Sequence, residues 1–181
     1  MKEISLHILD ITQNSIVAGA SLIELTVIES KKEDFLKFEI RDNGCGMTQE
    51  QVEAVKDPFT TSRKTRRVGL GIPLLKMAAE LTGGGIDISS QKGVGTIISA
   101  RFGFSHIDRQ PLGNMAETIL GLVTSHQEID FVYRHKVENK EYSLDTREMK
   151  ELLGGVAFTE PAVMLWLSDF LRENEASLYN E

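Results

Sequence analysis

Asp10 and Asn14 lie four residues apart, so on a helix an acid and an amide stand one turn apart on one face. Such a pair can hold a water and a Mg²⁺ ion, which prefers oxygen ligands and keeps several waters. Taken alone, the pair reads more readily as an exposed polar stripe on an amphipathic helix. In Asp42-Asn43-Gly44-Cys45-Gly46-Met47 an acid is followed by two glycines that let the backbone turn sharply and approach a ligand. Asp42 can accept a hydrogen bond from an exocyclic amine such as that of adenine; a plain strand-to-loop turn explains the segment as well. Thr60-Thr61-Ser62-Arg63-Lys64-Thr65-Arg66-Arg67 runs through Val68 into Gly69-Leu70-Gly71. Hydroxyls, cations and a glycine-rich helix start together favour phosphate over a merely solvated basic loop. Gly93-Val94-Gly95-Thr96 reads by itself as a hairpin turn.

These residues need elements to hold them. Ile4, Ile8, Ile11 and Ser15 recur with helical period, so residues 3–18 read as a helix ended by Gly19, with Leu6 and Leu9 widening its apolar stripe. Leu22–Ile28 and Phe35–Ile40 read as two strands of a hairpin. A long connection follows over 43–69, with one short helix near Gln49–Val55; connections of this length inside a domain are usually functional. Residues 70–82 read as a helix with Pro73 in its first turn. Ile86, Ile88 and Val94–Phe102 form a second hairpin. Helix, hairpin, loop, helix, hairpin implies a two-layer α/β sandwich. Beyond a boundary near Ile107–Gly113, Met115–Ser125, Thr146–Leu153 and Pro161–Glu173 read as helices, and Ile129–Val137 with Glu141–Leu144 as a hairpin. Leu165, Trp166, Leu167, Phe170 and Leu171 are expected to form a helix packing face.

The 181 residues, 41% hydrophobic and 26% charged, suit one domain with an extension and exclude disordered, collagenous and disulfide-scaffold classes. No apolar run reaches the length of a membrane span. The N-terminus carries no signal-peptide pattern, so a cytoplasmic location is the expectation. The net charge of −7 is uneven: residues 1–103 carry 13 basic and 13 acidic side chains, and residues 104–181 carry 7 and 14. A neutral half beside an acidic one argues against nucleic-acid binding. The four histidines show no zinc spacing. His7 is read as a surface or packing residue, and Cys45 as a small filler between glycines.

The ordered set of motifs resembles the ATP-binding domain of the GHKL superfamily, which includes gyrase, the heat-shock chaperone ATPase, sensor histidine kinases and the MutL mismatch-repair ATPase. The resemblance covers residues 3–103. It implies a Bergerat-type sandwich over 1–104, with a small acidic α+β extension over 105–181. Asp10 to Asn14 looks like the family's N-box, Asp42 to Gly46 its first glycine box, Asp57-Pro58-Phe59 the kinase phenylalanine box and Gly69 to Gly71 its second glycine box. By this resemblance Asn14 would bind Mg²⁺. Asp42 would read the adenine amine with Thr96 in support, and Gly44, Gly46 and Met47 would shape its pocket. Residues 60–71 would form an ATP lid, with Thr61, Ser62, Gly69, Leu70 and Gly71 at the nucleotide, Lys64, Arg66 and Arg67 as candidate phosphate contacts, and Asp10, Lys64 and Arg67 as the catalytic set. Asp10 stands where hydrolysing members have Glu; the shorter carboxylate would sit roughly 1–1.5 Å back, enough to cost about 100-fold. The implied ligands are Mg²⁺ with ATP or ADP. The implied activity is histidine-kinase-like transfer to a separate protein, with a slow ATPase or ATP-driven switch acting on a partner as the alternative. A homodimer is compatible with the chain; no membrane partner is expected.

Overall fold

A computed structural model describes residues 2–57 and 70–181. In chain order the elements are α1 (Ile4–Val17), β1 (Leu22–Ser30), β2 (Phe35–Asp42), α2 (Gln49–Lys56), α3 (Gly71–Leu81), β3 (Gly85–Gln91) and β4 (Gly95–Gly103). They are followed by α4 (Met115–Ser125), β5 (Asp130–Val137), β6 (Lys140–Asp145), α5 (Thr146–Leu153) and α6 (Pro161–Ser177). The six strands form one sheet in the order β3-β4-β2-β1-β5-β6. All neighbours are antiparallel except β1 and β5, which pair in parallel from Leu22 opposite Asp130 to Glu29 opposite Val137.

Alternation sets which face of the sheet is covered. Ile23, Leu25 and Val27 of β1, Leu36, Phe38 and Ile40 of β2, and Ile98, Ala100 and Phe102 of β4 are all buried. Ile4, Ile8 and Ile11 of α1 and Ile72, Leu75 and Ala79 of α3 meet them from the helical layer. The same core continues without a break into Ile119 and Val123 of α4, Phe131 and Tyr133 of β5, and Leu167 and Leu171 of α6. The extension therefore shares both the sheet and the core of the first hundred residues. Even the connection is fastened: Pro111 and Leu112 carbonyls accept from the Ile4 and Ser5 amides, satisfying two donors at the start of α1.

Three expectations change. Leu6 and Leu9 are exposed, because the sheet fills only the Ile4–Ile8–Ile11 side of α1. Leu165 and Trp166 are likewise exposed, and of the expected face of α6 only Leu167, Phe170 and Leu171 pack against the core. Helix α6 also runs one turn past Glu173, because Glu175 and Leu178 have partners and burial that a polar-looking sequence does not advertise.

A buried ionic cluster fixes that last turn. His135 of β5 is fully buried, with Nδ1 2.8 Å from Glu175 Oε2 and Nε2 2.9 Å from Glu29 Oε1. The Tyr133 and Tyr142 hydroxyls donate to Glu175, and the Tyr179 hydroxyl donates to Glu29. Burial by itself would push the imidazolium down, but bonding to Glu175 and Glu29 outweighs it and holds His135 at about 9. Burial pushes Glu175 up, and His135 and the tyrosines more than reverse that, leaving it below its ordinary value.

Candidate nucleotide site

The C-terminal half of α1, the end of β2 and the β3–β4 hairpin converge on one cavity of about 260 Å³. Asn14, Asp42, Gly46, Met47, Thr96 and Ile98 line it. Its volume lies near the low end for small-molecule sites and suits a planar heterocycle.

Asp42 is the last residue of β2 and stands opposite Thr96 in the β2–β4 register. Its Oδ2 accepts from the Ser15 hydroxyl at 2.6 Å and its Oδ1 from the Gly44 amide at 2.8 Å. Each oxygen keeps a lone pair, so the carboxylate is held in one plane and still accepts from a ligand amine. Thr96 is supported from behind. Its hydroxyl lies 2.8 Å from Ser90 Oγ, which also bonds the Gly95 carbonyl and receives the Met47 amide. From sequence Ser15 appears only as a helix-face residue, and Ser90 is not singled out. Ser15 follows Asn14 directly, and its place on the apolar face of α1 makes it look like core. Only the pairing of α1 with β2 shows it to be the residue that orients Asp42.

The loop after Asp42 is stitched on both sides. The Cys45 amide donates to the Ala18 carbonyl at 2.9 Å, and the Gly93 amide donates to the Cys45 carbonyl at 2.6 Å. Gly46 has φ +68, and a Cβ there would stand 2.0 Å from the Gln91 carbonyl oxygen. A side chain is excluded both by conformation and by space. Gly44 is buried against Ala18. Cys45 is exposed at the lining of the cavity rather than a buried filler. His7 is buried, with Nε2 3.1 Å from Gln110 Oε1, a packing role as expected.

Asn14 lines the cavity, and Asp10 lies one turn earlier on α1. A Cβ on Gly71 would stand 2.0 Å from Asp10 Oδ2, so the carboxylate rests against the first residue of α3. The acid of α1 and the glycine box are thus in contact, and a side chain at position 71 would displace the carboxylate. Leu70, immediately before α3, is exposed. Thr61, Ser62, Lys64, Arg67 and Gly69, with the rest of the lid and Pro58-Phe59, lie outside the described residues; Asp57 caps the C-terminus of α2.

Among the described residues, no group of three His, Cys, Asp or Glu side chains could hold a metal by itself. One neutral amide oxygen with a carboxylate a turn away fits a cation that keeps waters and takes ligands from phosphate, which is Mg²⁺ behaviour.

Residues 2–106 match the model of the histidine kinase-, DNA gyrase B- and HSP90-like ATPases. The chain belongs to this family. Among curated relatives of this ATPase-family chain is the sensor histidine kinase YxdK of Bacillus subtilis, 36% identical over 76 residues, covering 40% of this chain and 23% of the relative. Another is the sensor protein SrrB of Staphylococcus aureus, 37% identical over 79 residues, covering 41% of this chain and 13% of the relative. The chain thus spans less than a quarter of the length of these relatives. Among solved structures, the N-terminal domain of a DNA repair protein aligns with a TM-score of 0.55 at 14% identity, covering 99% of this chain and 57% of that one. The Aquifex aeolicus MutL ATPase domain, solved with ADP, aligns with a TM-score of 0.49 at 16% identity, covering 85% of this chain and 70% of that one. The α/β architecture is the one expected from sequence, and the first of these alignments runs through the extension as well. Among the described residues, no helix is long and apolar enough to cross a membrane.

Proposed function

We propose that this chain binds Mg·ATP and passes the γ-phosphoryl group to a side chain of a separate protein. One observation carries the reading: Asn14, Asp42, Gly46, Met47 and Thr96, drawn from three separate sequence motifs, line a single cavity. Asp42 reads the adenine amine, with Ser15 and Gly44 holding its plane. The adenine lies between Gly46–Met47 and the Thr96 end of β4. Mg²⁺, when bound, screens the phosphate charge, and Asn14 supplies one oxygen to it. Lys64 and Arg67 are the proposed phosphate contacts.

Phosphoryl transfer asks mainly for positioning and charge stabilisation, so a short carboxylate at position 10 is no obstacle. The bond from the γ-phosphorus to the β,γ-bridging oxygen breaks, a bond to the acceptor nitrogen forms, and ADP leaves with the electron pair. Leu70, Leu74, Met77 and Leu81 form an exposed apolar stripe at i, i+4, i+7 and i+11, starting where the lid ends. A surface of that kind next to the phosphate end of the site supports a protein acceptor.

The test is incubation with γ-labelled ATP and candidate partner proteins. Acid-labile label on a partner supports the kinase; partner binding that depends on ATP and leaves no label supports the switch. The contact between Asp10 and Gly71 favours the switch as the second reading, because it ties α1 to the helix that follows the lid.

Two variants probe the same reading. Asn14→Ala is expected to weaken ATP binding in Mg²⁺ by several-fold more than in excess chelator, measured by calorimetry; equal losses would remove Asn14 from the metal. Asp10→Asn is expected to abolish the slow intrinsic hydrolysis while nucleotide affinity changes less than about twofold, and Asp10→Glu to raise it, since the added methylene restores reach. Unchanged turnover in Asp10→Asn would show that the water is activated elsewhere.

A further inference from the structure

Helix α6 buries Leu167 and Leu171, yet its opposite face is not simply polar. Ala162, Leu165, Trp166, Asp169 and Glu173 stand at helical positions i, i+3, i+4, i+7 and i+11, and all are exposed. The N-terminal half of this face is apolar, with Leu165 65% and Trp166 52% exposed. The C-terminal half carries Asp169 and Glu173, with the exposed Arg172 at its edge, and no described residue forms an ion pair with Asp169 or Glu173. Trp166 is also preorganised. Its ring stacks on Phe170 at 5.5 Å, Phe170 meets Tyr142 edge-on, and Tyr142 meets Tyr133 edge-on. The exposed indole thus stands on an aromatic column rooted in the buried ionic cluster, so little side-chain freedom is left to lose on binding.

We propose that this face of α6 docks a basic amphipathic segment of a partner protein, with an apolar side chain on Leu165 and Trp166 and Lys or Arg opposite Asp169 and Glu173. Charge selects among occupants. Anionic lipid and nucleic acid carry the same sign as the face and are repelled. A second copy meeting this face about a two-fold axis would set Asp169 and Glu173 against their own equivalents. A segment with a cationic flank satisfies both halves at once. This docking site lies on the extension and gives the separate protein of the proposed function its chemistry. It rests on that reading only for what the partner is, since peptide binding and nucleotide binding are measured independently.

Trp166 is the only tryptophan of the chain, so its fluorescence reports this face alone. The full chain is titrated with a helix-forming peptide of about 18 residues carrying Leu at helical spacing and Lys on one flank, and with versions bearing Gln or Glu in place of Lys. The expected result is a blue-shifted, saturable response to the Lys peptide. Its affinity should be at least about tenfold above that of the Glu peptide and should weaken as salt rises past the Debye regime. Asp169→Lys with Glu173→Lys should reverse the preference, leaving melting temperature and ATP affinity unchanged. Trp166→Ala, followed by calorimetry, should lose about tenfold or more.

No response, or equal response to all three peptides, overturns the proposal. So does a Trp166 blue shift with phosphatidylserine vesicles and none with the Lys peptide, or burial of Trp166 by self-association. Loss of ATP binding with peptide binding intact would overturn the functional reading and leave the docking site standing.

Discussion

Asp42→Asn is expected to lower ATP affinity by about 10- to 150-fold, the equivalent of roughly 1.5–3 kcal/mol for a charged hydrogen bond lost in a closed pocket. The isostere keeps the fold. Its carbonyl oxygen can take the place of Oδ1 toward the Gly44 amide, and its NH2 can donate to Ser15, whose hydroxyl turns to accept. What is lost is the acceptor that faces the base. Wild-type protein should bind ATP and ADP and refuse GTP, because guanine offers a carbonyl to a carboxylate. Ser15→Ala should keep binding but narrow that discrimination, since Asp42 then loses the bond that holds Oδ2. Calorimetric titration of the three proteins with ATP and GTP checks this. An Asp42→Asn protein with wild-type ATP affinity would remove the residue from the base site.

His135→Ala is expected to destabilise the fold by about 3–5 kcal/mol, because it leaves Glu29 and Glu175 buried without their cation. For a chain of this size that is a fall of roughly 10 °C in melting temperature. The wild-type pH dependence has a definite sign. The ring's ordinary value is 6.5 and the folded value about 9, so folding raises it. The stabilisation is complete below 6.5 and is lost progressively as pH rises from there through about 9. One proton over that interval is worth on the order of 3 kcal/mol. Glu175 acts in the opposite sense. Held low in the fold, its contribution is present above the ordinary carboxylate value and disappears as pH falls through the folded one. Urea unfolding at a series of pH values should show stability declining between 6.5 and 9 in the wild type, with that decline absent in His135→Ala. A wild-type profile flat over the window would show that the ring is neutral in the fold.

Much of the site is local in origin and was legible for that reason. Asp10 and Asn14 share a helix face because of the 3.6-residue period, and the helix is marked by Ile4, Ile8 and Ile11. Gly44 and Gly46 advertise a loop that must pass close to another backbone, and the structure shows Ala18 and Gln91 as what they pass. Order along the chain then identified the family, since each motif is weak and their succession is not.

What stayed hidden depends on which surfaces meet. Ser15 could be core or ligand-orienting; its role follows from β2 ending beside it, 27 residues later. His135, Glu29 and Glu175 are separated by 106 and 40 residues, with no motif among them, and only the parallel pairing of β5 on β1 and the packing of α6 bring them together. The same pairing merges the extension into the main sheet. Periodicity reveals that a segment is a strand, but the choice of neighbour is made by long-range packing. Trp166 shows the complementary limit. Its apolar character fits a core equally well, but the side of α6 that meets the core is filled by Leu167 and Leu171, with Val163 and Phe170 beside them. The sequence by itself determined the elements, the nucleotide-site motifs and the family. The tertiary structure decided the partners of Asp42, the continuity of the sheet and which apolar residues face water, because those are set by contacts between segments far apart in the chain.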